Sequence, residues 1–171
     1  MRQGKIGSVE PLVSGAVARH ASGRLTIATP GQGFTDFTGA VAEFVRGSGI
    51  RDGLVTLFCR HTSASLTIQE NADPDVQTDL MTALDGFAPR GASSVHGAEE
   101  SDALQSQPLY VHSAEGPDDM PAHIRAMLTD SSLSIPVIER RLALGAWQGI
   151  YLIEHRDRSH QREILLQIMG A

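Results

Sequence analysis

The sequence predicts an α+β fold in which largely antiparallel β-sheets, stacked as in a sandwich, are combined with about three helices. Three observations predict this class. Short segments rich in β-forming residues recur along the chain and are interrupted by helical stripes of apolar residues. The strand candidates near the C-terminus follow one another too closely for the crossovers that a parallel sheet requires. The length of 171 residues predicts one domain over residues 1–171, in which residues 1–23 form a loose N-terminal arm.

The first half of the chain predicts strands on either side of one helix. Residues 24–29 alternate between apolar and polar side chains, as a half-buried strand does, and residues 30–33 predict a turn. Residues 36–46 carry apolar side chains at helical spacing, and the glycines that follow end this helix. Residues 54–60 and 65–69 then predict two strands.

Two more helices are predicted in the second half of the chain. One begins at Asp73, whose side chain can cap the helix and which is followed by a proline. We expect its apolar stripe to be buried, namely Val76, Leu80, Leu84 and Phe87. The other begins near Asp118, and its expected apolar face consists of Met120, Ile124, Met127 and Leu128.

The remaining segments complete the predicted sandwich. Residues 88–108 show no periodicity and predict an irregular segment between the two later helices. Residues 133–138, 147–154 and 163–169 are strand candidates, and residues 142–144 form a short piece between the first two.

The composition excludes several classes of partner. A net charge of −6 gives no basic surface for nucleic acid. No window approaches the ~18 consecutive apolar residues of a membrane span, and the N-terminus has no apolar core of a signal peptide. A single cysteine, Cys59, cannot form an internal disulfide and is expected to be buried, which favours a reducing, cytoplasmic location.

Three histidines define the candidate site. His61 ends a strand, whereas His112 and His123 bracket a segment that contains Glu115 and the pair Asp118-Asp119. We expect the three imidazoles to meet at one mouth of the sheet, where His61, Glu115, Asp119 and His123 are candidate catalytic groups. Three imidazoles and a water suit Zn²⁺, whereas added carboxylates favour Mn²⁺ or Mg²⁺. An alternative role of the Asp pair is to cap the helix.

Other polar residues near these histidines are candidates for binding a phosphorylated small molecule. Arginine forks suit phosphate, hydroxyls can hold an oxyanion, and a tryptophan can form a pocket wall for a flat ring, although a core anchor is the favoured role for it. His155-Arg156 is a further possibility for phosphate binding. The candidates are Arg60, Ser63, Ser65, Glu70, Asn71, Arg125, Trp147 and Gln148.

Several long motifs in order resemble one family. They are residues 61–66 (His-Thr-Ser-Ala-Ser-Leu), 70–74 (Glu-Asn-Ala-Asp-Pro), 112–124, 132–137 and 144–150. From about Leu25 to Gly170 the chain resembles the YjbQ-like proteins of UPF0047, named secondary thiamine-phosphate synthases. The resemblance implies an α+β fold, a homotrimer with sites near subunit boundaries, and a divalent metal held by His61, His112 and His123.

The resemblance also implies a reaction. It joins hydroxymethylpyrimidine pyrophosphate to thiazole phosphate with release of pyrophosphate, and it is a secondary activity in this family. Two alternatives remain open from the residues alone: a metal-dependent hydrolase or lyase acting on another phosphorylated metabolite, or a non-catalytic protein that binds a metal or small molecule.

The chain departs from the family pattern at two positions. Arg140 stands where the family usually has glycine, which is expected to cost about 1 kcal/mol if that residue has a positive φ. Ala146 stands where the family usually has threonine, which removes one possible ligand contact.

Overall fold

A computed structural model of the chain describes residues 11–12, 14–90 and 109–171. Its elements, in chain order, are β1 (Arg19–Thr29), β2 (Gly33–Asp36), α1 (Thr38–Ser48), β3 (Gly53–Cys59), β4 (Ala64–Glu70), α2 (Pro74–Phe87), α3 (Asp119–Leu128), β5 (Ser132–Ile138), β6 (Arg141–Leu142), β7 (Gln148–Glu154) and β8 (His160–Gly170). The predicted α+β class is confirmed. Most of the irregular segment predicted over 88–108 lies outside the described residues.

The strands form two sheets, and every pairing between the named strands is antiparallel. The larger sheet has the order β1-β8-β3-β5-β6 and the smaller one β2-β7-β4. Alternate residues of both sheets point into one core, which α1 completes with Val41 and Val45. The larger sheet contributes Val55 and Ile168 to this core, among others, and the smaller sheet contributes Leu152. The opposite face of the smaller sheet lies toward α2 and α3.

Most strand boundaries differ from the prediction by one to three residues, and β1 and β2 differ more. β1 begins at Arg19, because the register with β8 continues to the pair Arg19–Gly170, so residues 19–23 are strand rather than arm. β2 is a strand that the sequence does not predict, since Gly33 falls in the predicted turn. Four residues are too few to show alternation, and pairing with β7 creates this strand.

The end of α1 and the start of α2 follow local capping, as predicted. α1 ends just before Gly49, whose φ of 69° is the left-handed conformation that glycine adopts easily. The Asp73 side chain caps α2 by accepting a hydrogen bond of 2.9 Å from the Asp75 N–H. Asp118 makes no such capping bond at α3, which leaves its carboxylate for another partner. None of the helices that the structure describes is long and apolar enough to cross a membrane.

The predicted buried face of α3 is wrong, and that of α2 is only half-buried at Val76, Leu80 and Leu84. In the described chain every residue of α2 keeps some exposure, and Phe87 is 72% exposed. On α3 the predicted apolar face leaves Met127 79% exposed, whereas Asp119 and Arg125 are buried. Polar side chains can take the inward face because they find charged or carbonyl partners there. This reversed orientation of α3 creates the candidate site.

Candidate functional site

The first turn of α3 and the segment before it bring two imidazoles to one carboxylate. The Nε2 atom of His112 lies 2.7 Å from Asp119 Oδ2. His123, one helical turn after Asp119, places its Nε2 atom 3.3 Å from the same oxygen. One ligand atom from each residue lies within 4.8 Å of the other two. We call these three residues the His-Asp-His cluster.

The carboxylate of this cluster is buried and fixed by an arginine. Asp119 is 2% exposed, and its Oδ1 atom pairs with the Arg156 guanidinium, which leaves Oδ2 for the histidines. The same guanidinium donates to Asp118 Oδ2 at 2.9 Å and to the Glu115 carbonyl oxygen at 2.8 Å. Because its nitrogens hold three acceptors, Arg156 orients both aspartates.

Asp118 is part of the same ion-pair network around Arg156. Burial alone would raise the pKa of its carboxyl, but hydrogen bonds from Arg156 and from the Asp157 N–H outweigh it and hold the pKa at about 2. The Asp pair therefore forms ion pairs with Arg156 instead of the helix cap that was the alternative. The Glu115 carboxylate, a predicted catalytic group, is exposed and lies 3.8 Å from Arg156 Nη1.

The ring of His123 is held in one tautomer. Its Nδ1 atom lies 3.2 Å from the Thr62 carbonyl oxygen, which can only accept, so Nδ1 carries the proton. In the neutral ring, Nε2 then presents a lone pair to Asp119 Oδ2, which is also an acceptor. Two facing acceptors are favourable only when a cation lies between them, either a proton on Nε2 or a metal ion. The donor set therefore fits a divalent metal.

His61 lies apart from this cluster, so the structure assembles Asp119 with His112 and His123 where the sequence predicted three histidines. The backbone N–H of Glu163 donates to His61 Nε2 at 2.8 Å. Burial and the nearby charge of Arg162 lower the pKa of His61, which keeps its ring neutral.

His61 and His123 nevertheless share a groove. The groove has a volume of about 320 Å³ and lies between the start of β4 and α3. Its lining combines imidazoles and hydroxyls with small apolar side chains: His61, Thr62, Ala64, His123, Ala126, Met127 and Ser131. A small ligand in this groove would border the cluster through His123.

Two of the predicted substrate-binding residues lie beside His61 and are already paired. The Arg60 guanidinium forms an ion pair with Glu163, although the arginine side chain is still half exposed. Ser63 Oγ accepts a hydrogen bond of 3.1 Å from Arg162 Nη2. Neither of them lines the groove.

Arg125 and Ser65, also predicted to bind substrate, are buried. Arg125 donates to the Ala88 carbonyl oxygen at 2.8 Å and pairs with Asp85 at 2.8 Å. Ser65 Oγ lies 2.8 Å from Nε2 of the buried His155. Arg125 thus links α3 to α2, and Ser65 links β4 to the residue that follows β7.

The four other candidates lie at the far end of β4 and β7. The register pairs Glu70 with Gln148 at one end of these strands and Ala64 with Glu154 at the other, about 20 Å away at the usual rise per residue. Trp147 is 67% exposed, which excludes the favoured role of a core anchor. Asn71 Nδ2 donates to the Gln148 carbonyl oxygen at 3.4 Å. We call these four residues, Glu70, Asn71, Trp147 and Gln148, the Trp147 group. At this distance the Trp147 group cannot reach the His-Asp-His cluster of the same chain.

Sequence reasoning gave too little weight to the segment after β7. Arg156 was only a further possibility for phosphate binding, yet it fixes Asp119. Its backbone N–H donates to Glu154, a fully buried carboxylate that Arg162 pairs with at 2.7 Å. The available signal was the run Glu154-His155-Arg156 directly after an apolar strand, because charged residues there need partners.

Comparisons with known proteins agree with this geometry at the level of the fold and family. A family model described as UPF0047 protein YjbQ-like matches residues 23–171. A UPF0047 protein of Synechocystis sp. is 45% identical over 157 residues, which cover 92% of this chain and 97% of that protein. The YjbQ protein of Salmonella typhimurium is 35% identical over 85% of this chain and 95% of its own length.

A solved structure is also similar. An uncharacterized conserved YjbQ/UPF0047 family protein from Clostridium acetobutylicum matches with a TM-score of 0.70 and 36% identity. The match covers 85% of this chain and 98% of that one.

Proposed function

Because this chain belongs to the YjbQ-like family UPF0047, we propose that it binds one divalent metal ion through His112, Asp119 and His123 and acts on a phosphorylated small molecule. One observation carries the proposal: Nε2 of His123, whose tautomer is fixed by Thr62, faces Asp119 Oδ2 at 3.3 Å. Two imidazoles and one carboxylate form a ligand set that suits Zn²⁺ and, with its oxygen ligand, also Mn²⁺.

The reaction we propose is the secondary thiamine-phosphate synthase reaction. The bond between the pyrimidine methylene carbon and pyrophosphate breaks, and its electron pair leaves with pyrophosphate. The thiazole nitrogen then donates its lone pair to that carbon and forms the new C–N bond. A bound divalent ion would neutralise the departing pyrophosphate.

The chain's own residues supply the surroundings of this chemistry. Arg156 and the buried Asp119 keep the ligand atoms in place before substrate arrives. Ala64, Ala126 and Met127 give the groove an apolar wall, which shields a pyrimidine cation from water. His61 and His123 present imidazole edges on the same groove.

A hydrolase or lyase on another phosphorylated metabolite is the second candidate. It is favoured by the ligand set itself, because two histidines and a carboxylate also hold the zinc ion in enzymes that activate water. The exposed Glu115 carboxylate near Arg156 is then the candidate base.

The first test measures metal binding. Purified protein should contain zinc or manganese, and Asp119→Asn should lower the affinity for the metal at least about tenfold. The matched control is Asp79→Asn, which removes one exposed carboxylate on α2 and should leave the affinity within about twofold. Circular dichroism shows whether each variant is folded. A wild-type protein that binds neither zinc, manganese nor magnesium contradicts the proposal.

The second test separates the reactions. Wild-type protein loaded with metal should release pyrophosphate from hydroxymethylpyrimidine pyrophosphate only when thiazole phosphate is present, and His112→Ala should abolish the release. Release that needs no thiazole phosphate favours the hydrolase. Metal binding without any release rejects the transferase.

We further propose a homotrimer in the cytoplasm. Large apolar side chains on the outer face of the larger sheet and on α3 are exposed in the single chain, among them Phe58 and Met127. Packing between copies would cover them, and a neighbouring copy could bring its Trp147 group toward the cluster.

A further inference from the structure

The hydrogen bond to His61 determines which of its nitrogens carries the proton. The Glu163 backbone N–H can only donate, so His61 Nε2 accepts with its lone pair over 2.8 Å. The neutral ring then has its proton on Nδ1. A metal could bind Nε2 only after this bond to β8 is broken, which would leave the Glu163 N–H without its acceptor.

The opposite nitrogen of His61 is a free donor. Nδ1–H has no hydrogen-bond partner among the residues that the structure describes, whereas Nδ1 of His123 is bonded to Thr62. His61 also lines the groove that it shares with His123. An unused N–H at the wall of a groove is suited to an acceptor on a ligand.

The rest of the groove indicates the kind of ligand. Thr62 and Ser131 contribute hydroxyls, and Ala64, Ala126 and Met127 contribute apolar surface. A ligand that satisfies both carries an oxygen-rich group at the imidazole end and an apolar or flat part over the alanines. A phosphate oxygen meets the first requirement, since it accepts from neutral N–H donors as well as from cations.

We propose that His61 binds the substrate, donating Nδ1–H to a phosphate oxygen in the groove, and that it is not a metal ligand. This inference rests on the proposed function, because the ligand is the phosphorylated substrate of that metal site. It assigns the three predicted histidines two separate tasks: His112 and His123 hold the ion, and His61 orients the molecule on which the ion acts.

Long-range proton–nitrogen correlation spectra of the imidazoles test the tautomer and the ligands together. Without additions, His61 should show a protonated Nδ1 and an unprotonated Nε2. Zinc should shift the nitrogens of His112 and His123 and leave those of His61 nearly unchanged. Inorganic pyrophosphate, added with or without zinc, should then shift Nδ1–H of His61.

Substitution supplies a second readout. His61→Gln can still accept the Glu163 N–H but lacks a donor at the position of Nδ1, and it should weaken pyrophosphate binding about tenfold with zinc affinity within about twofold. His20→Gln is the matched control, since His20 lies exposed on β1 and does not line the groove. In this control variant the affinities for pyrophosphate and for zinc should both stay within about twofold of the wild-type values.

Three results would overturn the inference. They are a zinc-induced shift of the His61 nitrogens, a loss of zinc affinity in His61→Gln as large as in His112→Gln, or pyrophosphate binding that His61→Gln does not change. If no imidazole responds to zinc, the proposed metal site fails. The pyrophosphate titration without zinc still decides the role of His61 in that case.

Discussion

A buried histidine next to Arg156 in the chain is expected to make stability depend on pH. His155 is fully buried, with Nε2 2.8 Å from Ser65 Oγ. Burial, with a smaller contribution from Arg125, lowers its pKa from 6.5 to about 4. The unfolded chain therefore takes up a proton below pH 6.5, whereas the folded protein does not until about pH 4.

The predicted consequence is a loss of stability on mild acidification. As the pH drops from 6.5 to 4, protonation of His155 in the unfolded chain should lower the free energy of unfolding by about 3 kcal/mol. Above pH 7 the contribution of His155 should not change with pH. Urea unfolding at several pH values measures the slope. His155→Gln should flatten it, whereas the exposed His20→Gln should not. An equal slope in wild type and His155→Gln contradicts the prediction.

At the scale of elements, the hairpin between β5 and β6 contains a local strain. Glu139 and Arg140 have φ values of 51° and 64°, so both central residues of the turn are left-handed. This geometry favours asparagine and glycine, and Arg140 meets the condition of a positive φ under which the loss of glycine is costly. Backbone bonds hold the turn in place, including one of 2.7 Å from the Arg140 N–H to the Arg51 carbonyl oxygen.

Arg140→Gly should therefore stabilise the protein. Glycine removes the strain of the left-handed conformation but gives the unfolded chain more freedom, so we expect a net gain of roughly 0.5–1 kcal/mol. A higher urea midpoint with an unchanged m-value would show it. Arg141→Gly lies in β6 and has no positive φ, so it should destabilise. If both substitutions lower the midpoint, strain at Arg140 is not the cause.

The helices and strands also show which parts of the fold can be predicted from the sequence. The start of α2 and the end of α1 are coded locally, as Asp73 and Gly49 show. The orientation of α3 is not, because the burial of Asp119 and Arg125 depends on partners distant in the chain. The sequence predicts His112, Asp119 and His123 as site residues, and the structure brings these three together. The separation of His61 from them depends on a backbone N–H of β8, which carries no side-chain signal.

At the scale of the whole molecule, one sheet face carries an apolar band. Leu54 stands opposite Met169, and Phe58 opposite Leu165, in the register of β3 and β8. These four side chains are between 36% and 47% exposed, although they lie on the central strands of the five-stranded sheet. A face of this kind in the middle of a sheet is typical of a surface that another copy covers.

Charging this band should separate the proposed trimer. Light scattering coupled to gel filtration should give wild-type protein a mass of three times 18.3 kDa. Phe58→Lys should give the mass of one chain at the same concentration, because a lysine buried between copies loses its hydration without a partner. Phe87→Lys, an equally drastic change at an exposed position of α2, should remain trimeric if the sheet face is the interface. Dissociation by Phe87→Lys with an intact Phe58→Lys trimer would move the interface to α2, and a monomeric wild type would reject the assembly altogether.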